Sequence, residues 1–367
     1  MEDVTSIILA GGKGTRLKPL TDELAKPAVS FAGSCKLIDI PILASLEAHI
    51  PHILILTQYK SESIEHHVRG AYPICPQIQT LSAKELGCAF EGTADAIRQI
   101  RNKLANSSSE YFLILSGDQI HDFDIPAFVA FAKKNQADCA IASVPVSRAD
   151  APRLGILQMD LNGKITQFVE KPKSKKKLDT LTSPSPDMLD KPYLGSMGIY
   201  LFRKKALLSL LEKDLREDFG KHLIPTQIKR SPTYCYVHKG EWEDIGTIAT
   251  FYKANLDLVK KAGKCLIDKT AIAEGSLVTH SILGEKANLK PGSNISHSII
   301  VGSNVTIGNN CTVKKTIIDK NAFIGHGVIL TNSGNLEHYD DIGQGICIRD
   351  GIIIVKKGAR LPDGFRL

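Results

Sequence analysis

Apolar residues follow two different rhythms along this chain. Up to about residue 262 they come as short continuous runs: Thr5–Ala10 (TSIILA), His52–Leu56 (HILIL), Tyr111–Leu115 (YFLIL), Cys139–Val144 (CAIASV) and Gly198–Phe202 (GIYLF). Runs apolar on both faces suit buried parallel strands. Stretches such as Ala94–Leu104 and Pro126–Asn135 read as helices between them, and a last helix is predicted over Thr247–Ala262, just after Gly246. This alternation predicts an α/β fold with a doubly wound, mostly parallel sheet. Ligands then bind beyond the carboxyl ends of the strands.

After Gly263 the rhythm changes. Aliphatic residues recur at Ile272, Val278, Leu283, Leu289, Ile295, Val301, Ile307, Val313, Ile318, Ile324 and Leu330, spaced by six with two slips to five. Small residues, Gly and Asn fill the gaps, as in VGSNVTIGNNCTV. Such a period is neither helical nor that of an alternating strand. It is the hexapeptide signature of a parallel β-helix, each side turning one aliphatic residue inward. Three sides make a coil, so the stretch supplies about three coils. The chain therefore reads as two domains, 1–262 and 263–367.

Composition narrows the function classes. The 367 residues are 43% hydrophobic and 23% charged, a globular balance. No apolar run approaches the roughly 20 residues of a membrane span. The start MEDVTSIILAGG has no basic region or cleavage pattern. A cytoplasmic protein with no membrane partner is expected. The net charge of +7 is spread: 12 Lys+Arg against 9 Asp+Glu from residue 263 on, 34 against 30 before it. That argues against nucleic acid and is compatible with small anionic substrates. The one dense run, KSKKK at 173–177, reads as a solvated loop. No two of the eight cysteines lie within four residues of each other, which argues against zinc ribbons, redox pairs and a disulfide framework.

The candidate chemistry lies in the first domain. Leu9-Ala10-Gly11-Gly12-Lys13-Gly14-Thr15-Arg16-Leu17 follows the first strand, and Lys26-Pro27 comes shortly after. Glycines there let backbone N–H groups approach phosphate oxygens. The pattern is neither G-x-G-x-x-G nor a Walker A loop. Arg16 and Lys26 add two cations, and the set suits a triphosphate whose leaving pyrophosphate needs charge stabilisation. Asp118 closes the run YFLIL in Ser116-Gly117-Asp118, and Asp244 sits in Trp242-Glu243-Asp244-Ile245-Gly246. Either carboxylate can bridge a divalent ion to phosphates, since Mg²⁺ takes one or two carboxylates plus substrate oxygens. Taken singly, an Asp after a strand is as often a helix cap. Lys171 and Lys221 stand near predicted turns, where solvation is the usual role.

The segments LAGGKGTRL, KPA, TQY, GTADA, LSGDQI, GIL, FVEKP, SMGIY, EDFGKHLIP and EWEDIGTIATFYKANLDL resemble, in this order, the glucose-1-phosphate adenylyltransferases (ADP-glucose pyrophosphorylases) of the sugar nucleotidyltransferase family. The resemblance runs on through TIIDKNAFIGHGVIL and GICIRDGIIIVKKGARLPDGF, so it covers nearly the whole chain. LAGGxGTRL with EKP marks sugar nucleotidyltransferases broadly. SMGIY, DFGKxLIP and the block that begins at Trp242 are more specific.

The resemblance implies a nucleotidyltransferase-type sheet followed by a left-handed parallel β-helix. It implies transfer of AMP from ATP to α-D-glucose 1-phosphate, giving ADP-glucose and pyrophosphate for glycogen- or starch-type glucan synthesis. Leu9, Ala10, Gly11, Gly12, Gly14, Thr15, Arg16, Gly92 and Thr93 would hold the nucleotide. Phe90, Gly155, Glu170, Lys171, Ser196 and Lys221 would hold glucose 1-phosphate, with Lys171 on its phosphate. Arg16, Lys26, Asp118 and Asp244 form the expected catalytic set, and Asp118 with Asp244 would hold Mg²⁺. No covalent intermediate or protein base is required, because the phosphate nucleophile is already anionic. Relatives are homotetramers under allosteric control, so the same assembly is expected.

Three departures qualify the resemblance. Glu23-Leu24 replaces a basic pair at which effectors bind in relatives, although Lys320 matches an effector-linked lysine; weak or absent activation by glycolytic phosphates is expected. Lys84-Glu85 stands where relatives carry a Gln-Gln pair ahead of GTADA, and it presents a different donor and acceptor set to a base. The stretch between KANLDL and the β-helix is short, VKKAGKCLID. A Pro/Ser-rich loop, 182–192, reads as mobile. A nucleotidyltransferase for another base or another sugar 1-phosphate is one alternative, and two other function classes compete. One is a non-catalytic regulatory subunit, which usually loses a phosphate-binding Arg or a metal Asp; Arg16, Lys26, Asp118, Lys171 and Asp244 are all present. The other is hexapeptide acyltransfer, which needs a His base; His280, His297, His326 and His338 read as structural.

Overall fold

The computed structural model describes residues 1–183, 190–268 and 270–367. Most of the loop predicted as mobile, 182–192, thus lies outside the described residues. The chain divides into two compact units, 1–12 with 38–242 and 13–37 with 243–367.

The first unit is built on a nine-stranded sheet. Its strands are β1 (Val4–Ala10), β2 (His52–Thr57), β3 (Ile78–Ser82), β4 (Tyr111–Ser116), β5 (Cys139–Val146), β6 (Gly155–Met159), β7 (Ile165–Glu170), β8 (Tyr193–Arg203) and β9 (Thr233–Val237). The main path runs β7-β6-β8-β4-β1-β2-β3, and β5 joins β8 to β9. β1 pairs in parallel with β2 and β4, and β2 with β3. The later runs depart from a parallel sheet: β8 lies antiparallel to β4 and to β5. A continuous apolar run reports burial on both faces, and an inner antiparallel strand covered by helices is buried in the same way. Phe112, Phe202, Leu207 and Leu223 fill the core against this sheet. The predicted helix Ala94–Leu104 is two helices, Thr93–Gln99 and Arg101–Ala105, because Ile100 leaves the helical dihedrals.

In the second unit the helix Ile248–Ala262 starts at a capping box between Thr247 and Thr250 and stops at Gly263, whose φ of 62° is left-handed. A left-handed parallel β-helix follows, with Ile272, Leu289, Ile307, Ile324 and Leu361 on successive rungs of a five-stranded sheet. Its dry interior holds Leu283, Leu289, Ile295, Ile307, Val313, Ile318, Ile324 and Leu330, as the period predicts. One position differs. Ile300, rather than Val301, continues the Leu283–Ile318 ladder, since Leu283 pairs with Ile300 and Ile300 with Ile318. The extra residue falls in the turn after Val301. Ile272 is 40% exposed, because the first coil has a neighbour on one side only. After Leu330 a hairpin, His338–Asp341 with Ile346–Arg349, interrupts the coils before Ile352–Val355 rejoins Thr316–Asp319. That interruption hides the final rung from a count based on period.

Candidate active site

In the first unit the glycine-rich segment leaves the end of β1. The Leu9 carbonyl accepts the Gly117 N–H at 2.9 Å, tying this segment to the turn that carries Asp118. A Cβ on Gly117 would lie 2.8 Å from Ile38 Cδ1 and 3.2 Å from the Leu9 oxygen, so the turn needs glycine. The Ser116 hydroxyl donates to the Asp118 carboxylate. At the neighbouring strand end, Gln58 forks onto the Phe90 backbone: its Nε2 donates to the Phe90 oxygen at 3.1 Å and its Oε1 accepts the Phe90 N–H.

Gly92 and Thr93 open the helix Thr93–Gln99. The Glu217 carbonyl accepts the Ala94 N–H at 2.8 Å and the Asp95 N–H at 3.3 Å. A Cβ on Gly92 would sit 2.4 Å from that carbonyl. The Thr93 hydroxyl accepts the Phe219 N–H at 3.1 Å. GTADA therefore docks the loop that leads into DFGK.

A second cluster forms around Glu170, at the end of β7. A Cβ on Gly155 would fall 2.8 Å from Glu170 Oε2, and one on Gly220 would fall 2.7 Å from the same atom. Two glycines thus make the cradle for one carboxylate. Burial pushes the Glu170 pKa above the usual carboxylate range; Lys171 opposes the shift and Asp218 adds to it. Lys171 Nζ lies 3.4 Å from Glu170 Oε1 and stays 63% exposed. Its backbone takes a left-handed φ of 47°. Ser196 is buried, and its hydroxyl bonds to Tyr200, whose own hydroxyl is pushed well above its ordinary pKa by burial. The ladder slips between Ser196 and Tyr200, where Gly198 adopts φ 71°. Ser196 and Tyr200, at the two ends of that bulge, are both buried. Tyr200 stacks on Phe219 at 5.9 Å. Asp218 caps the next turn by accepting the Lys221 N–H at 2.8 Å, while the Lys221 side chain is exposed.

The second unit collects the remaining expected residues. Gly14 has φ 61°, and a Cβ there would lie 2.7 Å from Lys26 Cβ; Thr21 locks the turn by donating to the Gly14 oxygen at 2.9 Å. Thr15–Leu17 is a single 3₁₀ turn. Arg16 reaches Gly246, where a Cβ would meet its Nη2 at 3.2 Å and Asp244 Oδ2 at 3.5 Å. Lys26 is buried, with Nζ 3.7 Å from Asp244 Oδ1. Gly14, Thr15, Arg16, Lys26 and Asp244 are thus brought together. Asp244 in this unit and Asp118 in the first are each partly exposed carboxylates, and each by itself is the hard oxygen donor that suits Mg²⁺.

Residues 5–261 match the family described as Nucleotidyl transferase, and residues 259–365 match the GLGC left-handed parallel beta-helix domain. The chain belongs to the nucleotidyl transferase family. The two matches together mark it as a sugar-phosphate nucleotidyltransferase. Among the described residues, no helix is long and apolar enough to cross a membrane.

Within this nucleotidyltransferase the departures have specific geometries. Glu85 turns back on its own loop: its Oε2 accepts the Ser82 N–H at 3.0 Å and the Ser82 hydroxyl at 2.9 Å. Those bonds hold its carboxyl below the usual carboxylate range. Both side chains of the pair are exposed, but the Glu85 carboxylate is engaged by Ser82. Glu23 forms an ion pair with Lys357. His280 and His297 stack at 4.9 Å, and His326 Nδ1 accepts the Asn309 N–H at 3.0 Å, so all three support neighbouring coils. Three participants escaped notice in the sequence: Gln58, Tyr200 and Asp218. Each lies inside a quoted segment (TQY, SMGIY, EDFGK), yet only the folded register shows which side chains converge.

Proposed function

We propose that this nucleotidyltransferase transfers AMP from ATP to glucose 1-phosphate, releasing pyrophosphate and forming ADP-glucose. The Glu170 cradle carries the sugar half of the reading. A half-buried carboxylate between two close-packed glycines is suited to accept sugar hydroxyls, and the exposed Lys171 ammonium beside it suits the phosphate. Support for the adenylyl half comes from the resemblance of EWEDIGTIATFYKANLDL and SMGIY, and from the match of residues 259–365 to the GLGC β-helix domain.

In the proposed reaction a phosphate oxygen of the sugar phosphate forms a bond to the α-phosphorus. The bond from that phosphorus to the bridging oxygen breaks, and pyrophosphate leaves with the electron pair. Arg16 and Lys26 neutralise the charge that develops on the phosphates. Glu170 and Lys171 orient the nucleophile, and Gly11, Gly12 and Gly14 allow close approach of backbone N–H groups. Mg²⁺, held by Asp118 and Asp244, would supply further positive charge when bound. A homotetramer is the proposed assembly, to be read by light scattering.

The deciding assay gives the purified chain glucose 1-phosphate with ATP, UTP, dTTP or GTP and follows pyrophosphate release. Turnover dominated by ATP is expected. Dominant use of another triphosphate overturns the adenylyl assignment. No turnover with any of the four, combined with stimulation of an active partner chain, favours the regulatory-subunit reading.

A further inference from the structure

Arg98 is not part of any segment that carries the resemblance, yet it makes four hydrogen bonds inside the first unit. Its Nε donates to the Leu211 carbonyl at 3.3 Å. Its Nη2 donates to the carbonyls of Asp214 at 2.9 Å and Arg216 at 2.8 Å. Its Nη1 donates to Asp95 Oδ1 at 3.2 Å, and the guanidinium side chain is only 16% exposed. Three carbonyls from one short stretch, 211–216, therefore converge on a single planar fork. A lysine, with one ammonium, cannot reproduce that geometry.

The stretch so held is not an isolated loop. Directly after it come Glu217, whose carbonyl caps the Ala94 and Asp95 N–H groups, and Phe219, whose N–H is taken by Thr93. Asp95 accepts the Glu91 N–H at 3.0 Å, so the fork also grips the residue before Gly92. Asp214 is braced on its other side by Arg216, whose Nε and Nη2 donate at 2.8 and 2.6 Å, and by the Thr226 hydroxyl at 2.9 Å. Arg216 holds the Asp214 carboxyl far below its ordinary range. Both ends of this assembly lead into the candidate site: Gly92-Thr93 at one end, Asp218 and Lys221 at the other.

We infer that Arg98 is a positioning residue that fastens the loop bearing Asp218 and Lys221 to the Glu91–Thr93 segment, so that the sugar-phosphate side is set before substrate arrives. This rests on the proposed reading of the Glu170 pocket. A loop ordered in advance lowers the cost of binding the ligand it contacts. Arg98 touches none of the expected substrate groups, so its loss should appear as misplacement of Asp218 and Lys221.

The test uses Arg98→Met and Arg98→Lys in the full chain, with three readouts: Tm, KM for each substrate with kcat, and hydrogen exchange of the amides of residues 214–221 without ligand. We expect both variants to fold and to raise KM for glucose 1-phosphate on the order of 10- to 100-fold, as sub-ångström to ångström misplacement does. KM for the triphosphate should rise by a clearly smaller factor, since Gly92 and Thr93 also belong to the start of the helix Thr93–Gln99, which the fork does not build. Exchange at 214–221 should quicken in both variants. Unchanged KM for glucose 1-phosphate with quickened exchange overturns the positioning role, and full rescue by Arg98→Lys overturns the fork. A parent chain inactive on sugar 1-phosphates sinks the functional reading; unaltered exchange in the variants sinks the anchor itself.

Discussion

Glycine does different work in the two halves of this molecule. In the sheet unit, Gly155 and Gly220 leave room for side chains: a Cβ at either position would strike the Glu170 carboxylate, at 2.8 or 2.7 Å, and one on Gly155 would also meet the Phe168 ring at 2.3 Å. In the β-helix, Gly284 and Gly308 leave room for backbone: a Cβ would lie 2.4 Å from the Gly302 oxygen and 2.5 Å from the Gly325 oxygen of the next coil. The first kind of glycine makes room for a chemical group at some cost in stability, because Glu170 is partly withdrawn from water. The second kind protects the stacking from which the repeat draws its stability. The comparison separates residues proposed to serve reaction from residues that serve fold, and it can be tested one residue at a time.

The largest effect is expected on the reactive side. Asp118→Ala should lower turnover by at least about 10³-fold, the scale of losing a preorganised electrostatic group. Its Tm and circular dichroism should match the parent. Retained turnover would count against the metal role.

Glu170→Gln comes next, with an expected rise in KM for glucose 1-phosphate on the order of 10- to 100-fold. The sign of its pH dependence follows from burial. The folded-state pKa of Glu170 is raised, so its contribution to stability is present at low pH and is lost as pH rises through that value. Above it the buried carboxylate is a burden, and Glu170→Gln should then melt higher than the parent, with the gain shrinking as the pH falls. Binding of glucose 1-phosphate by the parent should weaken as Glu170 becomes protonated. A variant that melts lower at pH 8 breaks this account.

On the folding side, Gly308→Ala should cost about 1–3 kcal/mol, the range for overpacking a tight interior. Denaturant melts would show it, while KM for both substrates stays at the parental value. A selective loss of glucose 1-phosphate affinity would mean that the division between the two kinds of glycine is wrong. The smallest effect concerns effectors. With the Glu23 carboxylate on Lys357, fructose 1,6-bisphosphate or 3-phosphoglycerate should raise the rate less than about twofold, since a carboxylate repels added phosphate. Strong activation in a titration would refute this.

The two halves were also unequally legible from the sequence. A hexapeptide coil repeats one local rule, so the inward residues from Leu283 to Leu330 can be placed by counting. Counting failed only where a turn gained a residue, moving the inward role from Val301 to Ile300, and where the hairpin at 338–349 broke the series. In the sheet unit the strands and the glycine-rich turn could be read, because burial and left-handed backbone leave local marks. Strand direction left none, and β8 proved antiparallel to β4. The Glu170 cradle joins Gly155, Glu170, Ser196 and Gly220 with Tyr200 and Asp218. Resemblance supplied the first three and drew attention to the DFGK segment. The bulge between the buried Ser196 and Tyr200 and the cap that fixes Asp218 depend on register, which no single segment encodes.

Residues 13–37 belong with 243–367, and the 205 residues of 38–242 lie between them in the chain. Phe31 meets Phe251 at 6.5 Å, and Asn255 Oδ1 accepts the Ala32 N–H at 2.9 Å. During synthesis the segment carrying Arg16 and Lys26 therefore leaves the ribosome long before its packing partners exist. A chain that ends before residue 243 lacks Asp244, Gly246, Phe251 and Asn255, the groups that Arg16, Lys26, Phe31 and Ala32 meet in the folded protein. On the proposed reading, a ribosome stalled before residue 243 would display a nascent chain with the sheet strands but without the packed Arg16–Lys26 segment, so synthesis past that point would have to precede any chemistry.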